Sequence, residues 1–131
     1  MVKIKFIREY ALNASSRMLY PYLSSASGLE QWFCQSAKVA GDRRFIFVWD
    51  NQEHYAEMTN HRTNKSVRYT FTDAKFVPAP ETNYIEFSIE SSELTQEQFL
   101  RVTDFTDVGD TEQLEELWDN LILNLKEIIG G

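Results

Sequence analysis

Cysteine, basic residues and long apolar runs are all scarce in this chain of 131 residues. Its single cysteine, Cys34, excludes an internal disulfide and a cysteine-based metal cluster within one chain. Only 13 Lys and Arg stand against 20 Asp and Glu, and the formal net charge of −7 argues against a nucleic-acid partner, because phosphate binding needs a basic stripe. The same charge disfavours anionic membrane surfaces. No apolar run approaches the roughly 20 residues that span a bilayer, so membrane insertion is not expected. The opening stretch MVKIKFIREYAL has no uninterrupted apolar core before a small-residue cleavage site and does not read as a signal peptide. The expectation is a soluble cytoplasmic protein.

What the chain does have is apolar patterning. Hydrophobic residues make up 43% and aromatics 14%, which fits a folded domain rather than a disordered chain, and the length suits one domain over residues 1–131. Val2, Ile4 and Phe6 alternate with Lys3 and Lys5, predicting a strand. A short helix follows, capped by Asn13 or Ser15, in which Pro21 predicts a kink or an early end. A second short helix over SGLEQWF would place Leu29, Trp32 and Phe33 on one face. From Lys38 to Thr106 the pattern is strand-rich. A hairpin turn is expected at Asp50-Asn51-Gln52, a turn at Asn64, and a loop containing Pro78 and Pro80.

The last segment has the clearest period. Leu114, Leu117, Trp118, Leu121, Ile122, Leu125, Ile128 and Ile129 recur at helical spacing, with Asp110 as N-cap, Gln113 completing a capping box and Gly130 ending the helix. An antiparallel sheet must bury its apolar face, and this helix is the only long element able to cover it. The reading is therefore α+β: a strand, two short helices, a run of antiparallel strands and a long amphipathic helix.

That order is the helix-grip arrangement, a curved antiparallel sheet wrapped around a C-terminal helix, and three stretches make the resemblance specific. SSRMLYPYLSSASGLEQWF resembles the N-terminal signature of the START-like superfamily, a short helix followed by GL..WF. FIFVWDNQEHYAEM resembles the next hairpin in the branch related to activators of the ninety-kilodalton heat-shock chaperone. VTDFTDVGDTEQLEELWDNLILNLKEIIG is similar to the ending of small stand-alone bacterial START-like proteins. The resemblance implies the fold directly. For function it implies a range, from lipid and hormone carriers through cyclases and quinone-binding proteins to co-chaperone domains, and fold alone does not choose among them.

The acids of the last third are mostly helix grammar. Asp104, Asp107, Asp110 and Glu112 fail the spacing of a calcium loop, so no metal site is expected, and Asp110 and Glu112 suit the start of a helix. Asp104 shares strand parity with Leu100 and Val102 and should point inward. It either bonds backbone amides at the strand end or stands at the mouth of a pocket, with Arg8 a conceivable partner. His54 and His61, seven residues apart on one strand, should face opposite ways as exposed residues. Cys34 reads as a structural thiol, since nothing nominates a base beside it. No nucleotide-binding, nucleophile-elbow or zinc-protease motif occurs, and no cofactor is implied.

The aromatics Trp32, Phe33, Phe45, Phe47, Trp49, Tyr69, Phe71, Phe87 and Trp118 are candidates for a concave lining, joined by Met58, Asp104, Leu117 and Leu121. The alternative is that the same rings fill a solid core. Leu117, Trp118 and Leu121 are expected to face the sheet. The functional expectation is a non-catalytic binding module for a small apolar molecule or lipid between sheet and helix. The alternatives are a protein partner in a co-chaperone-like role and, third, a cyclase- or hydrolase-type enzyme using Asp104 or His54.

Overall fold

A computed structural model describes residues 3–79 and 82–130. Val2 and Pro80, which figured in the reading of the first strand and the proline loop, lie outside the described residues. β1 (Ile4–Leu12) buries Phe6 and Leu12 while Lys5 and Ile7 point to solvent, the alternation its sequence dictates. α1 (Ser16–Ser24) is capped by Ser15, whose hydroxyl accepts from Met18 N. The helix runs three residues past Pro21 and stops there, where the backbone N–H and the hydroxyl of Ser25 both donate to the Pro21 carbonyl. α2 (Ala26–Leu29) is a single turn, shorter than the periodicity suggested. The chain continues as turns in which the N–H groups of Trp32 and Phe33 both reach the Leu29 carbonyl, so the three apolar side chains still enter the core together.

Gly28 fixes how α1 and α2 meet. A Cβ at this position would stand 2.2 Å from the Pro21 carbonyl oxygen and 2.7 Å from Tyr22 Cα, inside any permitted contact, so only glycine allows the close approach.

The remaining strands are β2 (Ser36–Val39), β3 (Arg44–Trp49), β4 (Gln52–Arg62), β5 (Ser66–Thr72), β6 (Tyr84–Ser91) and β7 (Gln98–Thr106). They form one seven-stranded antiparallel sheet in the order β1-β7-β6-β5-β4-β3-β2. The β3–β4 hairpin closes on Asp50 and Asn51, with φ of 52° and 59°, the left-handed pair that a two-residue hairpin turn requires. Asn64 (φ 61°) serves the β4–β5 turn in the same way.

The sequence alone gave no sign of an irregularity in β4. Met58 pairs with Tyr69 but Asn60 pairs with Arg68, so one extra residue is accommodated at Thr59. The bulge reverses the parity beyond it. His61 therefore pairs with buried Val67 and lies on the same face as His54, correcting the opposite-face expectation, although it stays exposed at the far end of the strand.

α3 (Thr111–Ile129) follows β7 and carries the expected capping box: Asp110 accepts from Gln113 N and Gln113 Oε1 accepts from Asp110 N, each at 2.9 Å. Gly130, at φ 85°, ends it with its N–H on the Lys126 carbonyl. Leu114, Trp118, Ile122 and Leu125 form the buried stripe that packs into the sheet. Leu117 (49% exposed) and Ile128 (38%) do not join it. At about 100° per residue, Leu117 falls roughly a quarter-turn from the stripe's centre, so it borders the gap between helix and sheet rather than packing into the sheet as expected. No helix among the described residues is long and apolar enough to cross a membrane.

Candidate functional site

Sheet and helix do not close completely on each other. A cleft of about 610 Å³ remains between the N-terminal half of α3 and strands β3 to β7. Phe33, Trp49 and Phe71 supply aromatic wall on the sheet side, and Leu114, Leu117 and Leu121 supply aliphatic wall from α3. Ile85, Asp104 and Trp118 also line it. The tip of the β3–β4 hairpin brings Asp50, Glu53 and His54 to its rim, and the segment after β5 brings Asp73.

The residues picked from sequence therefore divide. Phe33, Trp49, Phe71, Asp104, Leu117, Trp118 and Leu121 line the cleft. Trp32, Phe45, Phe47, Tyr69 and Phe87 belong to the packed core behind it. Phe47 and Phe87 are fully buried, and Phe33 stands edge-on to both, with ring centroids 5.5 and 6.0 Å away. Tyr69 donates to the Leu23 carbonyl at 2.7 Å, and the Trp32 indole donates to the Tyr22 carbonyl at 2.8 Å, so both polar tips are satisfied within the core. Met58 is half-buried against the core and does not line the cleft. The aromatics thus divide between a packed layer and the wall of a cleft.

Asp104 is the polar centre of the cleft. β7 parity turns it inward opposite Phe6 and Ile85, and only 7% of it is exposed. Trp118 Nε1 donates to its Oδ2 at 2.8 Å. This replaces both readings of its partner: the donor is a side chain of α3 rather than a strand-end amide, and Arg8 is engaged with Glu115 at 3.1 Å instead. Oδ1 has no hydrogen-bond partner among the described residues. Burial pushes the Asp104 carboxyl above its ordinary pKa, and the indole hydrogen bond, which favours the ionised form, opposes that shift.

His54 is not the exposed strand histidine that was expected. Its ring stacks on Trp49 at 3.8 Å and 13°, and its Nε2 is buried with no partner among the described residues. Burial lowers its pKa, so the neutral imidazole is favoured. Cys34 behaves as a structural thiol: its Sγ points at the Leu29 carbonyl at 3.9 Å, and burial pushes its pKa up to about 11. No grouping of His, Cys, Asp and Glu among the described residues has metal-holding geometry.

Strand alternation could have nominated Ile85, since it shares a face with Phe87. The rim acids Asp50, Glu53 and Asp73 carry no such signal. They reach the cleft only because a hairpin tip and a loop meet in space.

The architecture is widely shared among solved structures. The Aha1 dimer from Colwellia psychrerythraea is 22% identical, with a TM-score of 0.74 over 98% of this chain and 96% of that one. The protein BfR322 from Bacteroides fragilis is 31% identical, with a TM-score of 0.64 over 98% and 92%. MLL2253 from Mesorhizobium loti is 18% identical, with a TM-score of 0.74 over 97% of both chains. A search of curated proteins finds no match. The domain description of the START-like superfamily matches residues 1–131, and the chain belongs to that superfamily.

Proposed function

We propose that the protein is a non-catalytic binding module for a small, largely apolar molecule held between the sheet and α3. The observation that carries this reading is the cleft itself: about 610 Å³, walled by Phe33, Trp49, Phe71 and the leucines of α3. That volume lies in the range of small-molecule sites, and an apolar wall with a few convergent polar groups is their usual composition. Two features weigh against catalysis. His54 Nε2 is covered rather than presented, and the Asp104 carboxyl is tied to Trp118 with no second titratable group bonded to it. Native mass spectrometry of the purified protein, followed by organic extraction, tests the reading. A co-purifying small molecule displaced by Leu114→Arg supports it. A protein that stays ligand-free against a broad panel of apolar compounds argues against it.

A second reading, association with protein partners, is favoured by the net charge of −7 and by the dimeric state of the Colwellia protein. Light scattering across a concentration series tests self-association directly.

A further inference from the structure

The cleft is strongly one-sided in charge. Asp50, Glu53, Asp73 and Asp104 all line it, and among the described residues no lysine or arginine does. Arg8 pairs with Glu115 at 3.1 Å, Arg44 lies over the Phe76 ring at 5.3 Å, and Lys3, which donates to the lining residue Asn83 at 2.6 Å, does not itself line the cleft. Asp104 is the decisive group, because it is more than nine-tenths buried, keeps Oδ1 unpartnered, and has only a neutral indole as donor. A buried carboxylate without a counter-charge is costly unless something arrives to neutralise it. The walls suit a cation as well. Phe33, Trp49 and Phe71 line it with aromatic rings, whose uncovered faces attract positive charge most strongly where water is excluded, although His54 already covers one face of Trp49 at 3.8 Å.

Resting on the reading of this cleft as a small-molecule site, we propose that its occupant is a cation: a protonated amine on an apolar or aromatic body, with the ammonium at Asp104 Oδ1 and the body against Phe33, Trp49 and Phe71. A fatty acid, a phosphate headgroup or any other anion would instead meet the buried carboxylate and three rim acids with no cation in the described lining to balance them. The upward pressure that burial exerts on the Asp104 pKa fits this assignment, since an ammonium at Oδ1 reverses the pressure by favouring the ionised form.

Three nearly isosteric probes separate the possibilities: naphthylethylamine, naphthylethanol and naphthylacetate, titrated into the isotope-labelled protein at low salt while the Trp118 indole N–H resonance is followed. The amine is expected to bind about tenfold or more tighter than the alcohol, with the acetate weakest. The ratio should fall as salt is raised. Asp104→Asn should bring amine and alcohol to within about threefold of each other. The amide spectrum reports whether that variant stays folded, and Glu53→Gln, at the rim, should lower the ratio by a smaller factor if it does not. Equal binding of all three probes, or preference for the acetate, overturns the cation assignment and leaves the small-molecule reading standing. No binding by any probe overturns both.

Discussion

Trp118→Phe is the most informative single change, because it removes one hydrogen-bond donor at the junction of α3, β7 and the cleft. The indole N–H lies 2.8 Å from Asp104 Oδ2, with Trp118 only 1% and Asp104 7% exposed, so the bond is largely shielded from bulk water. A hydrogen bond to a charged group contributes about 1.5–3 kcal/mol. The smaller ring also leaves a void where the indole edge was, costing on the order of 1 kcal/mol more. A destabilisation of about 2.5–4 kcal/mol is expected at neutral pH, or roughly 9–15 °C in Tm for a chain of this size. The sign of the pH dependence is fixed as well. Burial raises the carboxyl pKa, so the folded state holds its proton above the unfolded carboxylate range, and stability falls as pH rises through that window. Losing the indole donor raises the folded pKa further and deepens the fall. Urea unfolding at about pH 3 and about pH 7 should therefore show a larger loss at the higher pH, with the pH-dependent part absent when Asp104→Asn is the background. A loss below about 1 kcal/mol, or one independent of pH and of Asp104, would refute the assigned role of this pair.

Gly28→Ala should cost about 2–4 kcal/mol in urea unfolding, since a Cβ 2.2 Å from the Pro21 oxygen forces α1 and α2 apart. The Cys34 thiol, with a pKa near 11, should alkylate at mildly alkaline pH roughly a hundredfold more slowly than a free cysteine, and full denaturation should restore the ordinary rate. On α3, Ile122→Ala (1% exposed) should lose about 2–4 kcal/mol, whereas Leu117→Ser (49% exposed) should lose under about 0.5 kcal/mol yet weaken probe binding. Thermal melts and the same titrations check both.

The fold was largely legible because its signals are local and redundant. Period-two alternation marked the strands, Asp50-Asn51 announced a tight hairpin, and the capping box at Asp110 and Gln113 fixed the start of α3. The illegible parts depended on through-space arrangement. Thr59 is an ordinary strand residue by composition, so the bulge that turns His61 to the inner face leaves no mark in sequence. Leu117 and Leu121 belong to the same apolar period as Ile122, and only the orientation of the helix over the sheet decides that the first borders a cleft while the last is sealed. Asp104 was recognisable as odd from its parity. Its partner was not, because Trp118 reaches it from a separate element whose rotation no local pattern encodes.

The strand order carries a consequence for how the chain reaches this state. From β2 to β7 each strand pairs with its immediate successor, so the meander can assemble as a series of local hairpins. β1 is different: Ile4 pairs with Thr106 and Leu12 with Gln98. The first strand of this domain to be synthesised thus has its ladder partner made after every other strand described. During synthesis β1 carries an apolar face and an unsatisfied backbone edge with nothing of its own to dock on. Completion of β7 and α3 covers the apolar face of β1 and pairs one of its edges in one closing step, leaving β1 as an edge strand, and that step makes the cleft.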